Sequence, residues 1–584
     1  RRGASAPAPE SQVSPRADNT GPGASAVALP PTPEATADGS SYGGQGSTPA
    51  TFVKPTQNLL TSPKWMSFLT FLRRISKTMK KLSLIPLIAL WSFSFARAEL
   101  WMPSIFSDHM VLQREQQNPV WGMADPGQTV TVAIANQSHA AKADSEGNWR
   151  VELGPLSAGG PHELSVQAGE TRVYQDVLVG EVWFCSGQSN MAWSVGRSNE
   201  APIEIVSANH PEIRFLKVPR VGTQEPQRDF EGEWAVCSPQ TVGDFSAIGY
   251  FFGRRLHDTL DVPVGLVDLS WGGSGAEAWV PREVLEDDPI YAPFLAERAA
   301  RVEGYTDAVH AEKIAEWEVA RAAWEAGGRE GRRPRKPRDP RYDNKRPGNI
   351  FNGVVHPVLS YGLRGNIWYQ GESNARRHET YGDLFPLVIE TLRERWGQGA
   401  FPFYWVQLAD YRAESTEPKD PEWARLREHQ TMTLDAVANG GQAVIIDVGE
   451  GRDIHPRDKQ TVANRLARIA LARDYGFDVN YQSPRYDSMR VEDGRVTVTL
   501  KHVTEQGLYA FDRETVQGFA IAGEDRVFHW AEAKIVGPSK DQVEVWSEAV
   551  PNPVAVRYAW AENPVCNLYD REGLPVTPFR TDDW

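Results

Sequence analysis

The chain has 584 residues, of which 41% are hydrophobic and 10% aromatic, enough for about four domains of roughly 150 residues with large cores. Its formal net charge of −14 argues against nucleic acid or an anionic membrane surface as a partner. The three cysteines, Cys185, Cys237 and Cys566, are too few for a disulfide scaffold and lack the paired spacing of a zinc or redox site.

The beginning of the chain has the pattern of a leader. Residues 1–78 are predicted to be a disordered upstream extension, because most of this stretch is rich in Pro, Ala, Gly, Ser and Thr. Residues 79–98 are predicted to be a signal peptide, with a basic start at Met79, an apolar run and an Ala-Arg-Ala cleavage motif. The run is too short to span a membrane. We therefore expect Met79 to be the initiator, cleavage near Ala98, and an exported protein, periplasmic or secreted, without a stable membrane span.

Three folded regions are predicted after the leader. Short alternating strands in residues 99–176 predict an N-terminal β-sandwich domain. Apolar runs that alternate with helical patterns in residues 177–480 predict an α/β domain, a parallel sheet with helices on both faces. Residues 481–584 return to strand alternation and predict a C-terminal β domain. The α/β strands are predicted at Val177–Cys185, Val262–Ser270, Leu363–Tyr369, Phe403–Leu408 and Ala443–Val448, and the helices at Phe245–Leu260, His378–Trp396, Glu422–Ala436 and Arg457–Arg473.

Residues 287–345 interrupt the α/β pattern with a helical stretch and a basic, proline-rich segment. The arginines of this insertion indicate either an anion-binding patch or a solvated surface loop. The solvated loop is the favoured interpretation, because charged runs usually lie on solvated faces.

The ends of the predicted strands carry polar residues that could act together. Ligands of an open parallel sheet bind beyond the carboxyl ends of its strands. Ser189 follows the first of these strands, Gly272 and Gly273 the second, Asn374 the third and His455 the last. A histidine there could activate the serine, and glycine N–H groups or the Asn374 amide could face an oxyanion. The other histidines considered as the base, all less well placed, are His257, His356, His378 and His429.

This order of Ser, Gly, Asn and His resembles the SGNH hydrolase superfamily, and the surrounding residues are most similar to the sialate O-acetylesterase family. The matching stretches are residues 180–191, 270–279, 368–374, 453–459 and 556–567. The resemblance implies a flavodoxin-like SGNH fold, with Ser189 as nucleophile and His455 as base. It also implies an oxyanion hole formed by the Ser189 N–H, Asn374 and either Gly272 or Gly273, with Gly273 preferred because it lies nearer the turn.

The chain departs from the superfamily pattern before the histidine. The usual aspartate position, three residues before His455, is occupied by Arg452, and Asp453 lies two residues before it. Two arrangements remain open: a triad in which Asp453 orients His455, or a Ser–His dyad in which a backbone carbonyl does so. Asp447 and Glu450 are weaker alternatives.

The implied reaction is hydrolysis of O-acetyl esters on a sugar or glycan, without a cofactor or metal. Acetylated sialic acid is the first substrate, and acetylated xylan or xyloglucan is the alternative. Arg376 and Arg377 could contact a sialate carboxylate, but solvated residues at the start of a helix are the favoured interpretation. A non-enzymatic carbohydrate-binding protein is disfavoured because the serine, asparagine and histidine are all present, and a peptidase is disfavoured by the residues around Ser189.

Overall fold

The computed structural model describes residues 100–584. The predicted extension at residues 1–78 and the predicted signal peptide at residues 79–98 lie outside the described residues. Among the helices of residues 100–584, none is both long enough and apolar enough to cross a membrane.

The first seven strands form an N-terminal β region. They are β1 (Val111–Gln113), β2 (Asn118–Met123), β3 (Thr129–Ile134), β4 (Gln137–Lys142), β5 (Asn148–Leu153), β6 (Gly159–Ala168) and β7 (Glu170–Gly187). Strands β2 and β5 form an antiparallel pair, while β4, β3, β6 and the first half of β7 form an antiparallel sheet. The predicted boundary between residues 176 and 177 therefore falls inside one strand, β7.

The second half of β7 is the central strand of a mostly parallel sheet. The other members are β8 (His210–Lys217), β9 (Ala235–Cys237), β10 (Val264–Asp268), β11 (Gly365–Tyr369), β12 (Phe403–Val406) and β13 (Gly440–Ala443). Their order is β13-β12-β11-β7-β10-β8-β9, and every neighbouring pair is parallel except β8 with β9. The second half of β7 and strands β10, β11 and β12 are buried, as expected where helices cover a parallel sheet.

Within residues 100–584, eight α-helices lie between or after the strands of this sheet in chain order. They are α1 (Ala201–Ser207), α2 (Ala247–Leu260), α3 (Arg282–Glu286), α4 (Ala292–Val302), α5 (Asp307–Ala326), α6 (Tyr381–Trp396), α7 (Glu422–Ala436) and α8 (Lys459–Arg473). Short 3-10 turns occupy Val195–Arg197, Val242–Asp244, Ala276–Trp279, Pro289–Tyr291, His356–Val358 and Ala375–Thr380, and a π turn occupies Phe351–Val355. Helix α2 packs against α8, and α6 packs against α7. The long helices lie where apolar periodicity predicted them, whereas α3, α4 and α5 belong to the stretch around the predicted insertion.

One predicted strand of the α/β region is wrong in position. The last strand was predicted at Ala443–Val448, but β13 occupies Gly440–Ala443. The apolar run after β13 has a different cause: Ile445 packs into the main core, while Val444 and Ile446 pack into a second core. Gly440 and Gly441 have no apolar side chain, so the sequence of β13 carries no apolar signal. Glycine fits these positions because aromatic rings of β12 occupy the space that a side chain would fill.

A separate β region ends the chain and contains this second core. Its strands are β14 (Arg485–Glu492), β15 (Arg495–Lys501), β16 (Leu508–Ala510), β17 (Phe519–Ala522), β18 (Phe528–Trp530), β19 (Glu532–Val536), β20 (Gln542–Trp546), β21 (Ala555–Tyr558), β22 (Leu568–Asp570) and β23 (Phe579–Arg580). They form two four-stranded sheets, β14-β15-β20-β19 and β18-β17-β21-β23, and the pair β16-β22. The N-terminal β region, by contrast, shares one continuous apolar core with the parallel sheet.

Arg427 on α7 joins the C-terminal β region to the loop that follows β12. Its guanidinium is fully buried and donates to the carbonyls of Leu408 and Ala409, at 2.8 and 2.6 Å, and of Ala561 and Glu562, at 2.6 and 2.9 Å. Burial lowers the pKa of Arg427 to about 10, so the group is still charged at neutral pH. Four carbonyl oxygens in two regions therefore share one buried donor.

We expect Arg427→Met to lower the urea midpoint of unfolding, by the equivalent of about 3–5 kcal/mol, because it leaves buried carbonyls without a donor. Denaturation followed by tryptophan fluorescence measures this. The matched control is Arg425→Met on the same helix, which breaks a partly exposed ion pair with Asp420 and a hydrogen bond to the Trp584 carbonyl and should cost about 1 kcal/mol. Equal midpoints for the two variants would contradict this role of Arg427.

Candidate active site

Ser189 lies in the turn that begins where β7 ends. Gly187, the last residue of β7, has a φ of 127°, and a Cβ atom there would lie 2.2 Å from the carbonyl oxygen of Tyr369. Only glycine fits this close approach between β7 and β11. The Gln188 N–H then donates to the same carbonyl at 2.8 Å. The start of the turn is thus fixed against the neighbouring strand, with Ser189 half-buried at the carboxyl edge of the sheet.

His455 reaches Ser189 from the loop between β13 and α8. Its Nε2 lies 2.9 Å from the Ser189 Oγ, within hydrogen-bond distance. Its Nδ1 lies 3.1 Å from Oδ1 of Asp453, and the same oxygen accepts the His455 backbone N–H at 3.0 Å. With Nδ1–H donating to Asp453, Nε2 is left to accept the serine proton. The contacts have the geometry of a Ser–His–Asp chain.

The alternative acids are committed to other partners. Glu450 binds the backbone N–H and guanidinium of Arg457. Asp447 forms a two-point ion pair with Arg465 and accepts from Tyr569. Asp453 is therefore the carboxylate placed to orient the imidazole.

The alternative bases lie in other surroundings. His356 contacts the Gln227 carbonyl and His257 the Val262 carbonyl. His378 stacks near His429. Within the described residues, none of these four contacts Ser189.

The surroundings of His455 keep its imidazole neutral. Burial lowers the pKa of His455, and the carboxylate of Asp453 partly offsets this effect. The indole of Trp193 stacks on the imidazole with centroids 4.9 Å apart and planes 20° apart, and the Arg197 guanidinium lies 3.6 Å from the centre of that indole. A neutral imidazole is the form that can accept a proton at pH 7.

Gly272, in the loop that follows β10, lies against Ser189. A Cβ atom on Gly272 would lie 3.4 Å from the Ser189 Cβ, whereas one on Gly273, which has a φ of 77°, would lie nearest to the Asn344 side chain, at 3.7 Å. Within residues 100–584, no acceptor binds the backbone N–H of Ser189, Gly272 or Gly273. These N–H groups are available to a ligand. This proximity to Ser189 favours Gly272 as the oxyanion donor, whereas the sequence favoured Gly273. The role of either glycine stays a prediction.

Asn374 is completely buried beside the end of β11. Its Oδ1 accepts from the Ala276 N–H at 3.0 Å and from Gln370 at 2.8 Å, and its Nδ2 donates to Glu277 at 3.0 Å. None of these contacts involves Ser189 or His455. They connect the segments that follow β10 and β11, and its role as an oxyanion donor stays a prediction.

A buried polar chain underlies the site and was not predicted. Lys459, at the start of α8, donates to Asn190 Oδ1 at 2.6 Å, and Asn190 donates to Glu372 at 2.6 Å and to the Ile454 carbonyl at 3.0 Å. Burial lowers the pKa of Lys459 to about 7 and raises the pKa of Glu372. The chain holds the residue after Ser189 against the residue before His455.

The two arginines considered as carboxylate contacts differ in their surroundings. Arg377 is paired with buried Glu277, its Nη2 lying 2.9 Å from Oε1. Arg376 is exposed. Arg377 is therefore already neutralised in part, by the same carboxylate that Asn374 binds.

Among the described residues, one group has the composition of a metal site. The ligand atoms of His210, His257 and Asp258 lie within 4.8 Å of one another. His210 begins β8, so the group lies at the edge of the parallel sheet opposite Ser189. It cannot take part in chemistry at Ser189.

Comparison with known proteins identifies the family of this chain. The family of carbohydrate esterases described as sialic acid-specific acetylesterase matches residues 350–447. The sialate O-acetylesterase of Mus musculus is 31% identical over 82% of this chain and 93% of its own length, and that of Homo sapiens is 29% identical over 85% and 95%.

Among solved structures, a novel carbohydrate acetylesterase from Xanthomonas citri superposes with a TM-score of 0.70 at 36% identity, covering 83% of this chain and 100% of that one. The resemblance of the strand-end motifs is thereby confirmed. The chain belongs to the sialate O-acetylesterase family and is a carboxylic ester hydrolase.

Proposed function

We propose that the protein is a serine esterase that removes acetyl groups from O-acetylated sialic acids. The observation that carries this proposal is the contact chain Ser189–His455–Asp453, with distances of 2.9 and 3.1 Å. The parallel sheet with β7 at its centre supports an SGNH-type, flavodoxin-like catalytic domain flanked by β-sandwich domains. The predicted leader at residues 79–98 supports export, so that the protein meets its substrate in the periplasm or outside the cell.

Acylation begins when His455 Nε2 takes the proton of Ser189. The Ser189 Oγ attacks the acetyl carbonyl carbon, and the carbonyl oxygen becomes an oxyanion. The N–H groups of Ser189 and Gly272 or Gly273, together with the Asn374 amide, are the proposed donors to this oxygen. His455 then gives its proton to the sugar oxygen as the C–O bond breaks, and the sugar leaves as an alcohol.

Deacylation repeats these steps with water as the nucleophile. His455 takes a proton from water, the hydroxide attacks the acetyl-serine, and the proton returns to Ser189 as acetate leaves. Asp453 stabilises the imidazolium that forms in each half of the reaction. The stacked indole of Trp193 fixes the plane of the ring and excludes water from one of its faces.

The sialate substrate is supported by the mouse and human relatives, which are named sialate O-acetylesterases and match this chain over most of their length. Acetylated xylan and xyloglucan are the neutral alternatives. Acetate release from O-acetylated sialoglycoprotein, acetylated xylan and acetylated xyloglucan, measured side by side, distinguishes these substrates. A preference for either neutral polysaccharide would contradict the sialate assignment and leave the esterase chemistry intact.

We expect Ser189→Ala to lower kcat/KM for an aryl acetate and for the preferred acetylated sugar by at least about 10⁴-fold, because it removes the nucleophile. The control is Ser194→Ala, five residues further along the same loop, which should keep activity within about threefold. Circular dichroism verifies the fold of both variants. Retained activity in a folded Ser189→Ala protein would exclude the serine mechanism.

We expect wild-type kcat/KM to rise with pH as His455 loses its proton and to reach half its maximum below pH 6.5, because burial lowers the pKa of this base. The pH profile of aryl acetate hydrolysis measures the midpoint. A midpoint above that value would contradict the burial of a neutral imidazole.

We expect Asp453→Asn to lower kcat by about 10²–10⁴-fold, because the imidazole loses its orienting carboxylate. The remaining activity should have its acid midpoint at lower pH than the wild type, because that carboxylate raises the pKa of His455. Glu450→Gln is the matched control and should change kcat by less than about threefold and leave the acid midpoint at its wild-type value. Wild-type kinetics in Asp453→Asn would indicate a Ser–His dyad.

A further inference from the structure

The insertion at residues 287–345 contains a buried arginine without a partner. Arg298 on α4 is 7% exposed, and its Nε and Nη1 atoms are buried without a hydrogen-bond acceptor. Its guanidinium lies 4.9 Å from the ring centre of Phe294. Within the described residues, no carboxylate forms an ion pair with it.

Such a group is costly to the free protein. A buried guanidinium loses its hydration, and it is normally found with a carboxylate or several carbonyl oxygens around it. Burial lowers the pKa of Arg298, and the nearby Arg301 adds to this effect. Other arginines of the same insertion are paired: Arg301 binds Glu297, and Arg341 binds Asp339. Within the insertion, Arg298 is therefore the buried arginine that lacks a partner.

Two further cations lie close to Arg298. Lys345 is half-buried, and Arg298 and Arg377 contribute to the lowering of its pKa, of which burial is the main cause. The guanidinium of Arg377 lies 4.8 Å from the Phe294 ring, which Arg298 also contacts.

The carboxylates that face this cluster are Asp343 and Glu277. One oxygen of Asp343 accepts the backbone N–H groups of Lys345 and Arg346, and one oxygen of Glu277 binds Arg377 and Asn374. Arg377 is thus hydrogen-bonded to Glu277, whereas within the described residues the side chains of Arg298 and Lys345 donate to neither carboxylate. A third carboxylate near Arg298, Glu297, binds Arg301. The cluster keeps an excess of positive charge around an unpaired guanidinium.

The cluster adjoins the loop beside the nucleophile. Asn344, the residue before Lys345, donates to the Gly272 carbonyl at 2.7 Å and accepts the Gly275 N–H at 3.2 Å. Gly272 lies against Ser189, and Arg377 Nη2 lies 3.8 Å from the position of a Cβ atom on Gly275. Lys345 thus directly follows the residue that holds the candidate oxyanion loop.

We propose that Arg298, assisted by Lys345, binds the carboxylate of the acetylated sugar and so makes the protein selective for acidic sugars. The proposal rests on the proposed function, because it assigns a specificity site to the same esterase. A guanidinium offers several N–H donors to a carboxylate, and a charge-assisted contact is roughly twice as strong as a neutral one. A neutral acetylated polysaccharide has no negatively charged group for this site.

The first experiment compares two substrates on the wild-type enzyme. O-acetylated N-acetylneuraminic acid and its carboxyl methyl ester present the same acetyl group with and without the negative charge. We expect kcat/KM to be about 10- to 100-fold higher for the free acid, as one charge-assisted hydrogen-bonded pair implies. A ratio near one would overturn the proposal, whatever the folding behaviour of any variant.

The second experiment measures the same ratio in variants. Arg298→Gln should bring it to within about threefold of one, and Lys345→Gln should lower it by a smaller factor. The control is Arg301→Gln, on the same helix with an exposed ion pair, which should keep the wild-type ratio. An unchanged ratio in folded Arg298→Gln would overturn the assignment of this residue.

Aryl acetate hydrolysis by the wild type separates this proposal from the proposed function. Hydrolysis of the aryl acetate without discrimination between the acid and its methyl ester would overturn only the carboxylate site. Failure to hydrolyse the aryl acetate, in a folded protein, would contradict the esterase itself and the carboxylate site with it.

Discussion

The active-site geometry depends on the parallel pairing of β7 with β10 and β11. Cys185 of β7 pairs with Asp268 of β10 and with Ile367 of β11, so the three strands end at one edge. The segments that follow them carry the serine, the glycine pair and the buried asparagine. The absence of a side chain at Gly187 allows the chain to turn there against β11. Strand register thus determines which residues meet at this edge, although hundreds of residues separate some of them in sequence.

The histidine depends on a different kind of constraint. It follows β13, which is separated from β7 by two strands, and its loop must return across the sheet edge to reach the serine. The polar chain from Lys459 through Asn190 to the Ile454 carbonyl makes that connection. Lys459 and Asn190 are buried, and their hydrogen bonds, shielded from solvent in this way, rigidify the loop. The sheet positions Ser189, and the buried hydrogen bonds position His455.

Much of this arrangement could be predicted from the sequence, because it follows from apolar periodicity and from one rule about parallel sheets. The long helices and the strands containing Phe184, Ile367 and Tyr404 have strong apolar signals. Ser189 and His455 were predicted as site residues because they lie in the loops that follow such a strand or the apolar run beside one. β13 was misplaced because its glycines carry no such signal, and β8 was missed because its first residues are polar and exposed.

The rest of the site depends on tertiary contacts that no local pattern contains. Lys459 lies within a stretch that matched the family and Trp193 lies two residues beyond another. Stacking on an imidazole and burial beside an asparagine depend on tertiary contacts, which the local sequence does not show. The sequence could not decide whether Asp453 or a backbone carbonyl contacts the His455 imidazole, because Arg452 occupies the usual aspartate position. Loop conformation determines which group reaches the ring. Arg298 was hidden for the opposite reason: it lies in a charged helix, where a solvated arginine is the ordinary expectation.

The continuity of β7 has a consequence for the order in which the chain folds. Its first half pairs with β6, its neighbour in sequence, whereas its second half waits for β10 and β11, which are synthesised much later. Local contacts form faster than those that must close long loops. We expect the N-terminal antiparallel sheet to form first and to present the second half of β7, already extended, as the template on which the parallel strands assemble. Strand β7, which leads into the turn that carries Ser189, would then also begin the folding of its domain.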